Sequence, residues 1–320
     1  MIQPMIASIL VPLDGSPFGE RALITAIAVA RSSAATISLI HVEEEPAPNA
    51  WGVTIDPGLH HKLRADRRGA LQALTDRTIA DTSLQVTLTI LEGPVAETLE
   101  KHIAFTRPDL VVMATHGETG VMRALLGSVA GHIIRQSVVP VLLVRPTSGD
   151  PAEGSQPVFR HVVVALDGSK LAEQVIDRVL LLAEPGTTRF TLLQIVVHSS
   201  ITAMPYPQNA IPIEFAGAFN ERRKELIPHL EALADWLRAR GFETAVQIES
   251  HWQPAAGILE RAHDVQADLI ALSTRGHGGL RRFVLGSVAD AVVHGAVTPV
   301  LVFHPIELAI DSHAPPITTL

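Results

Sequence analysis

Two stretches of the chain carry residues spaced for chemistry: THGETGVMRALLGS at 115–128 and TRGHGGLRRFVLGS at 274–287. In each, a glycine (Gly117, Gly276) follows a β-like run. After nine further residues a Gly-Ser pair (Gly127-Ser128, Gly286-Ser287) precedes a helical pattern. Glycine lets the chain turn without a Cβ. The first N–H groups of a helix, at the positive end of its dipole, suit an anion. Ser128 and Ser287 are expected at the N-cap, where a hydroxyl could add one hydrogen bond. The pattern reads as a phosphate cradle built without a lysine, or, more plainly, as tight helix–strand packing. Asp14 and Asp167 close the first strand of each half, in LDGS. A carboxylate there can accept from ribose hydroxyls or an adenine amino group but repels phosphate, so it belongs at the other end of a ligand. An Asp-Gly pair also has a purely local use, because the Asp side chain commonly caps the turn it starts.

Other chemistries lack their residues. There is no G-x-x-x-x-G-K-[ST] and no G-x-G-x-x-G after the first strand, so neither a P-loop nor a dinucleotide fingerprint is present. No G-x-S-x-G supports a nucleophile elbow. The fifteen histidines are scattered. His60 and His61 would point about 100° apart on a helix, so a metal held by the protein alone is not expected. His41 reads as a satisfied strand-end histidine. The chain has no cysteine, which removes disulfides and thiolate chemistry. A net charge of −8 without a Lys/Arg block argues against a nucleic-acid partner. The most apolar stretch, ALITAIAVA at 22–30, is too short to cross a bilayer. No signal-peptide pattern opens the sequence. The expectation is a cytoplasmic protein with no membrane partner.

The elements that must position these residues occur twice in the 320-residue chain. SILVPLDGS at 8–16 matches HVVVALDGS at 161–169, TISLIHV at 36–42 matches RFTLLQI at 189–195, and VPVLLVRP at 139–146 matches TPVLVFHP at 298–305. Each copy alternates short β-branched runs with longer helical ones, the mark of a parallel sheet covered on both faces. Strands are expected at 7–13, 36–42, 85–91, 109–114 and 141–145, then near 161–166, 189–197, 244–249, 268–272 and 300–303. Helices are expected at about 17–32, 57–80, 94–106 and 128–137, with Ser16 and Pro17 as cap and first residue of the first helix. Domains are set at 1–146 and 158–310, with a linker at 147–157 and a tail at 311–320. Segments 43–56 and 198–213 are Pro-rich and read as long loops. PVLLV and PVLVF are expected as apolar edge strands, which invite pairing with each other or with a second chain.

LVPLDGS, ATHG-x9-GS and PVLLV, each present in two versions, resemble the universal stress protein family in its tandem two-domain form. That resemblance implies two Rossmann-like α/β domains, each a doubly wound parallel five-stranded sheet of strand order 3-2-1-4-5, in a homodimer. ATP-binding members carry G-x2-G-x9-G-[ST]. By resemblance, Pro12 and Asp14 would meet the base and ribose end of ATP, with Mg²⁺ carried by the nucleotide. Val42 would meet adenine through its backbone, and Met113 would lie at the end of the fourth strand. Gly117, Gly127, Ser128 and Val129 would hold ribose and phosphates. The second half offers Ala165, Asp167, Ile195, Leu272, Gly276, Gly286, Ser287 and Val288. The motif's first glycine is replaced by Ala114 and Ser273, two small residues. Members without the motif need not bind ATP, so a nucleotide-free dimeric scaffold stands as the alternative to a nucleotide-dependent stress-response regulator. No base or nucleophile is evident, so the resemblance implies at most slow ATP hydrolysis. Glu118 in the first loop opposes a triphosphate, whereas Arg281 and Arg282 in the second attract it, which predicts tighter binding in the second half.

Overall fold

The structure, a computed structural model, describes residues 6–44, 56–115, 126–145, 159–197, 213–274 and 285–305. The linker and tail expected at 147–157 and 311–320, and most of the two expected loops, lie outside the described residues.

The first half runs β1 (Ser8–Pro12), α1 (Pro17–Ser33), β2 (Thr36–Glu43), α2 (Pro57–Thr82), β3 (Val86–Glu92), α3 (Val95–Thr106), β4 (Leu110–Ala114), α4 (Ser128–Gln136) and β5 (Val141–Val144). The second runs β6 (His161–Leu166), α5 (Lys170–Val179), β7 (Arg189–Val197), α6 (Ile213–Arg238), β8 (Glu243–His251), α7 (Pro254–Asp264), β9 (Leu269–Ser273), α8 (Ser287–Gly295) and β10 (Val300–Phe303). Each half has parallel strands in the order 3-2-1-4-5. The two five-stranded sheets join into one of ten strands, β3-β2-β1-β4-β5-β10-β9-β6-β7-β8.

The join takes the first of the two pairings expected of the apolar edges: they meet each other. PVLLV and PVLVF are the edge strands of their own halves, and by pairing they become the two central strands of the joined sheet. β5 and β10 pair antiparallel, with Leu142 opposite Leu301, and every residue of both is buried. The chain thereby covers its own apolar edges, leaving β3 and β8 as the rims of the sheet. Burying a leucine from water is worth about 1.5–3 kcal/mol, and both central leucines are fully buried.

Strand alternation divides the core into two layers. Ile9, Val11, Leu110 and Val112 face a layer that also holds residues of α1, α2, α5 and α6. Leu10, Val111 and Met113 face the layer of α3, α4, α7 and α8. α1 begins as expected, with Ser16 at the N-cap accepting from the Gly19 amide at 3.2 Å. α2 has 26 residues, about 39 Å of helix, against roughly 24 Å for the seven-residue β3. Its buried residues Leu71, Thr75 and Thr78 lie in its C-terminal part. The N-terminal part therefore overhangs the carboxyl ends of the strands.

Candidate functional site

The turn after β1 is built by local bonds. One oxygen of Asp14, Oδ1, accepts from the Ser16 amide at 2.9 Å and from the Ser16 hydroxyl at 2.6 Å, and Gly15 adopts φ +83°. Asp167 repeats the arrangement with Ser169 at 3.0 and 2.7 Å, around Gly168 at φ +84°. The local role of these aspartates is thus real, and Asp14 also faces the crevice beside it. His41 is 3% exposed and its Nδ1 donates to the Leu13 carbonyl at 2.7 Å, the strand-end role its position suggested.

The start of α4 differs from expectation in two ways. Gly127, not Ser128, is the N-cap, and Ser128 is the first helical residue with its side chain exposed. Gly286 and Ser287 repeat this at α8. The physical reason is a close backbone approach. The Gly127 amide donates to the Thr115 carbonyl at 2.8 Å, and Gly286 to Thr274 at 3.0 Å. A Cβ at either glycine would sit 3.1 Å from that oxygen. The glycine amide is therefore engaged by its own chain. The first intrahelical bond runs from the Gly131 amide to the Gly127 carbonyl at 2.8 Å, so the helix-start donors are the amides of Ser128, Val129 and Ala130. Gly117 and Gly276 lie outside the described residues, as do Glu118, Arg281 and Arg282.

Above these elements lies a cavity of about 540 Å³, within the usual range for small-molecule sites. It is lined by all the described first-half candidates: Pro12, Asp14, Val42, Met113, Ala114, Gly127, Ser128 and Val129. Their second-half counterparts hold the same register. Ala165 pairs with Leu272 between β6 and β9. Ile195 lies near the end of β7, and Asp167, Ser273, Gly286, Ser287 and Val288 occupy the equivalent strand and helix ends.

Sequence reasoning missed one wall of the cavity. His60, Leu63, Arg64 and Arg67 line it from the overhanging part of α2. Their i, i+3, i+4, i+7 spacing puts them on one helix face, which is the signal that could have found them. Val95 and Leu99 of α3 and Ile40 of β2 complete an apolar floor. At the rim, the buried carboxylate of Glu43 accepts from Arg68 at 2.7 and 2.6 Å and also pairs with Arg64. Arg64 reaches on to Glu92 of β3 at 2.7 Å. The hydrogen bond from Arg68 does most to hold the Glu43 pKa down, to about 2, with the bond and charge of Arg64 adding to it against the upward push of burial. Both arginines are in turn held more firmly protonated, chiefly by their bonds to Glu43.

The cavity thus offers an apolar floor, a carboxylate at one end, helix-start amides at the other and arginines along one wall. That donor set fits an adenine nucleotide: apolar surface for a base, Asp14 for ribose hydroxyls, α4 amides for phosphate. Among the described residues no three His, Asp or Glu side chains cluster to hold a metal ion, and no helix is long and apolar enough to cross a membrane.

A sequence profile of the Universal stress protein family matches residues 5–145 and again 159–304. The chain is 25% identical over 304 residues to Universal stress protein Rv2005c of Mycobacterium tuberculosis, covering 92% of this chain and 96% of that protein. It is 30% identical over 151 residues to YxiE of Bacillus subtilis, a universal stress protein, covering 45% of this chain and 99% of that protein. Among solved structures, a universal stress protein from Archaeoglobus fulgidus superposes with a TM-score of 0.68 at 18% identity, over 93% of this chain and 98% of that one.

Proposed function

The chain belongs to the universal stress protein family, and on that premise we propose that it binds ATP or a related adenine nucleotide and acts as a nucleotide-dependent regulator rather than as an enzyme. One observation carries the reading: eight candidates drawn from four separate stretches of sequence line a single cavity. Pro12, Val42 and Met113 would enclose the base, Asp14 would take ribose hydroxyls, and the amides of Ser128, Val129 and Ala130 would face phosphate at the positive end of α4. The nucleotide would bring Mg²⁺ with its phosphates. His41, the one imidazole of the strand ends that lines the cavity, is tied to Leu13; it is not placed as a base.

The competing reading, a nucleotide-free scaffold of the same fold, gains support from the engagement of the Gly127 amide by Thr115. The two readings separate cleanly. Protein purified, denatured and run on anion exchange should release adenine nucleotide, and millimolar ATP with Mg²⁺ should raise the melting temperature. Neither effect would be seen with a scaffold. A homodimer remains part of the proposal. Because β5 and β10 already pair within the chain, the second copy would dock elsewhere, and mass photometry at micromolar concentration would read the association.

A further inference from the structure

The halves diverge most where α2 and α6 meet the strand ends. Both helices have 26 residues. Leu71, Thr75 and Thr78 of α2 are buried at the same spacing as Leu230, Ala234 and Leu237 of α6, each pair 159 positions apart. In that alignment His60, Arg67 and Arg68 fall opposite Phe219, Leu226 and Ile227, while Leu63 and Arg64 fall opposite Arg222 and Arg223, both exposed on α6 and the first paired with Glu225. His60 and Arg67 line the cavity and Arg68 holds Glu43. Phe219, Leu226 and Ile227 instead pack on the apolar core of the second half. The strands change in step. Glu43 pairs with Glu92 where Val196 pairs with Ser250, so two carboxylates give way to two uncharged residues.

The turn after the first strand shows the same substitution at close range. The space over Gly15 is covered by Arg67, whose Nε lies 3.3 Å from where a Cβ would sit. The space over Gly168 is covered by the buried Gln194, with its amide nitrogen at 3.2 Å. A long cation from the overhanging helix thus occupies one position, and a neutral amide from the neighbouring strand occupies the other. Beside it, Ile195 and His251 close on Gly257, at 3.1 and 3.0 Å from the place of its Cβ.

We infer, resting on the nucleotide reading above, that the chain takes one nucleotide, in the first half, and that α6 seals the second crevice. Entry there would have to displace Phe219, Leu226 and Ile227 from the apolar core they pack on, and α6 puts no cation on the crevice wall where Arg67 stands in the first half. This reverses the ranking suggested by the loop charges alone. Arg67 is the residue that favours a charged ligand over a neutral one.

Isothermal titration of the full chain with ATP, then with adenosine, tests the inference on wild type, Ser128→Asp and Arg67→Ala. Ser128 is exposed in the first turn of α4, where an acid favours the helix, so the variant should keep the wild-type melting curve. Wild type should bind one ATP per chain. Ser128→Asp should weaken ATP about tenfold or more by charge repulsion while retaining adenosine. Arg67→Ala should weaken ATP about tenfold and adenosine less than about twofold. Two ATP per chain, full-strength binding that survives Ser128→Asp, or equal losses of ATP and adenosine in Arg67→Ala would overturn the inference while leaving the nucleotide reading intact. No binding of either ligand to wild type would remove both.

Discussion

Replacing Glu43 with Gln should cost stability at neutral pH and cost much less in acid. The carboxylate is 3% exposed and is held by Arg64 and Arg68. Its pKa falls from 4.5 to about 2 in the folded chain. At about 1.4 kcal/mol per pK unit this sets an upper bound of roughly 3.5 kcal/mol. The partners are 27% and 47% exposed, so solvent screening cuts the figure to about 1.5 kcal/mol. The sign follows from proton binding. Between the two pKa values the unfolded chain holds a proton that the folded chain does not, so stability rises with pH through that window. The stabilisation is complete above about pH 4.5 and disappears as pH falls towards about 2. Urea denaturation of wild type and Glu43→Gln at pH 7, 5, 4 and 3 would measure the gap. It should be near 1.5 kcal/mol at pH 7 and more than half gone by about pH 3. A gap unchanged between pH 7 and 3, or none at pH 7, would refute the assignment of the shift to the arginine cluster.

His161 should give a separate signature at milder pH. Burial, with Arg189 nearby, lowers its pKa, and its Nε2 accepts from Thr191 at 2.9 Å while Nδ1 donates to Val265. The unfolded chain protonates first, so stability should fall as pH drops below about 6.5; NMR titration of the imidazole and denaturation at pH 7 and 5 would show it. Arg145→Ala should destabilise by about 2 kcal/mol and loosen the two halves from each other, read as a broadened melting transition. The reason is that the buried Arg145 donates to the Val293 and His294 carbonyls at the end of α8. Gly127→Ala and Gly286→Ala should each lower stability by about 1–3 kcal/mol, equally, because each Cβ meets a carbonyl at 3.1 Å. Leu142→Ala should cost about 2–5 kcal/mol in thermal or urea unfolding, since Leu142 faces Leu301 at the buried join.

Much of the fold was legible because the duplicated phrases fall on buried strands, where apolar runs have one plausible use. β6 (161–166), β7 (189–197) and β10 (300–303) begin and end where the sequence put them. The apolar character of PVLLV and PVLVF announced strands in need of partners, but not which partner; that depends on the path of the whole chain. The cap at Gly127 was misplaced by one residue because it is set by the Thr115 carbonyl, twelve positions away and brought close only by folding. Arg64 and Arg67 were passed over because charges on one face of a long helix normally face solvent. Only the overhang of α2 beyond the strands turns that face towards a cavity.

The antiparallel join between β5 and β10 has a geometric consequence. Strands on either side of the seam run head to tail, so the carboxyl rim of one half lies along the same border as the amino rim of the other. The strand ends that carry Asp14 and Asp167 consequently face opposite poles of the sheet. A flat partner laid across the first-half mouth would meet only the amino ends of the other half's strands.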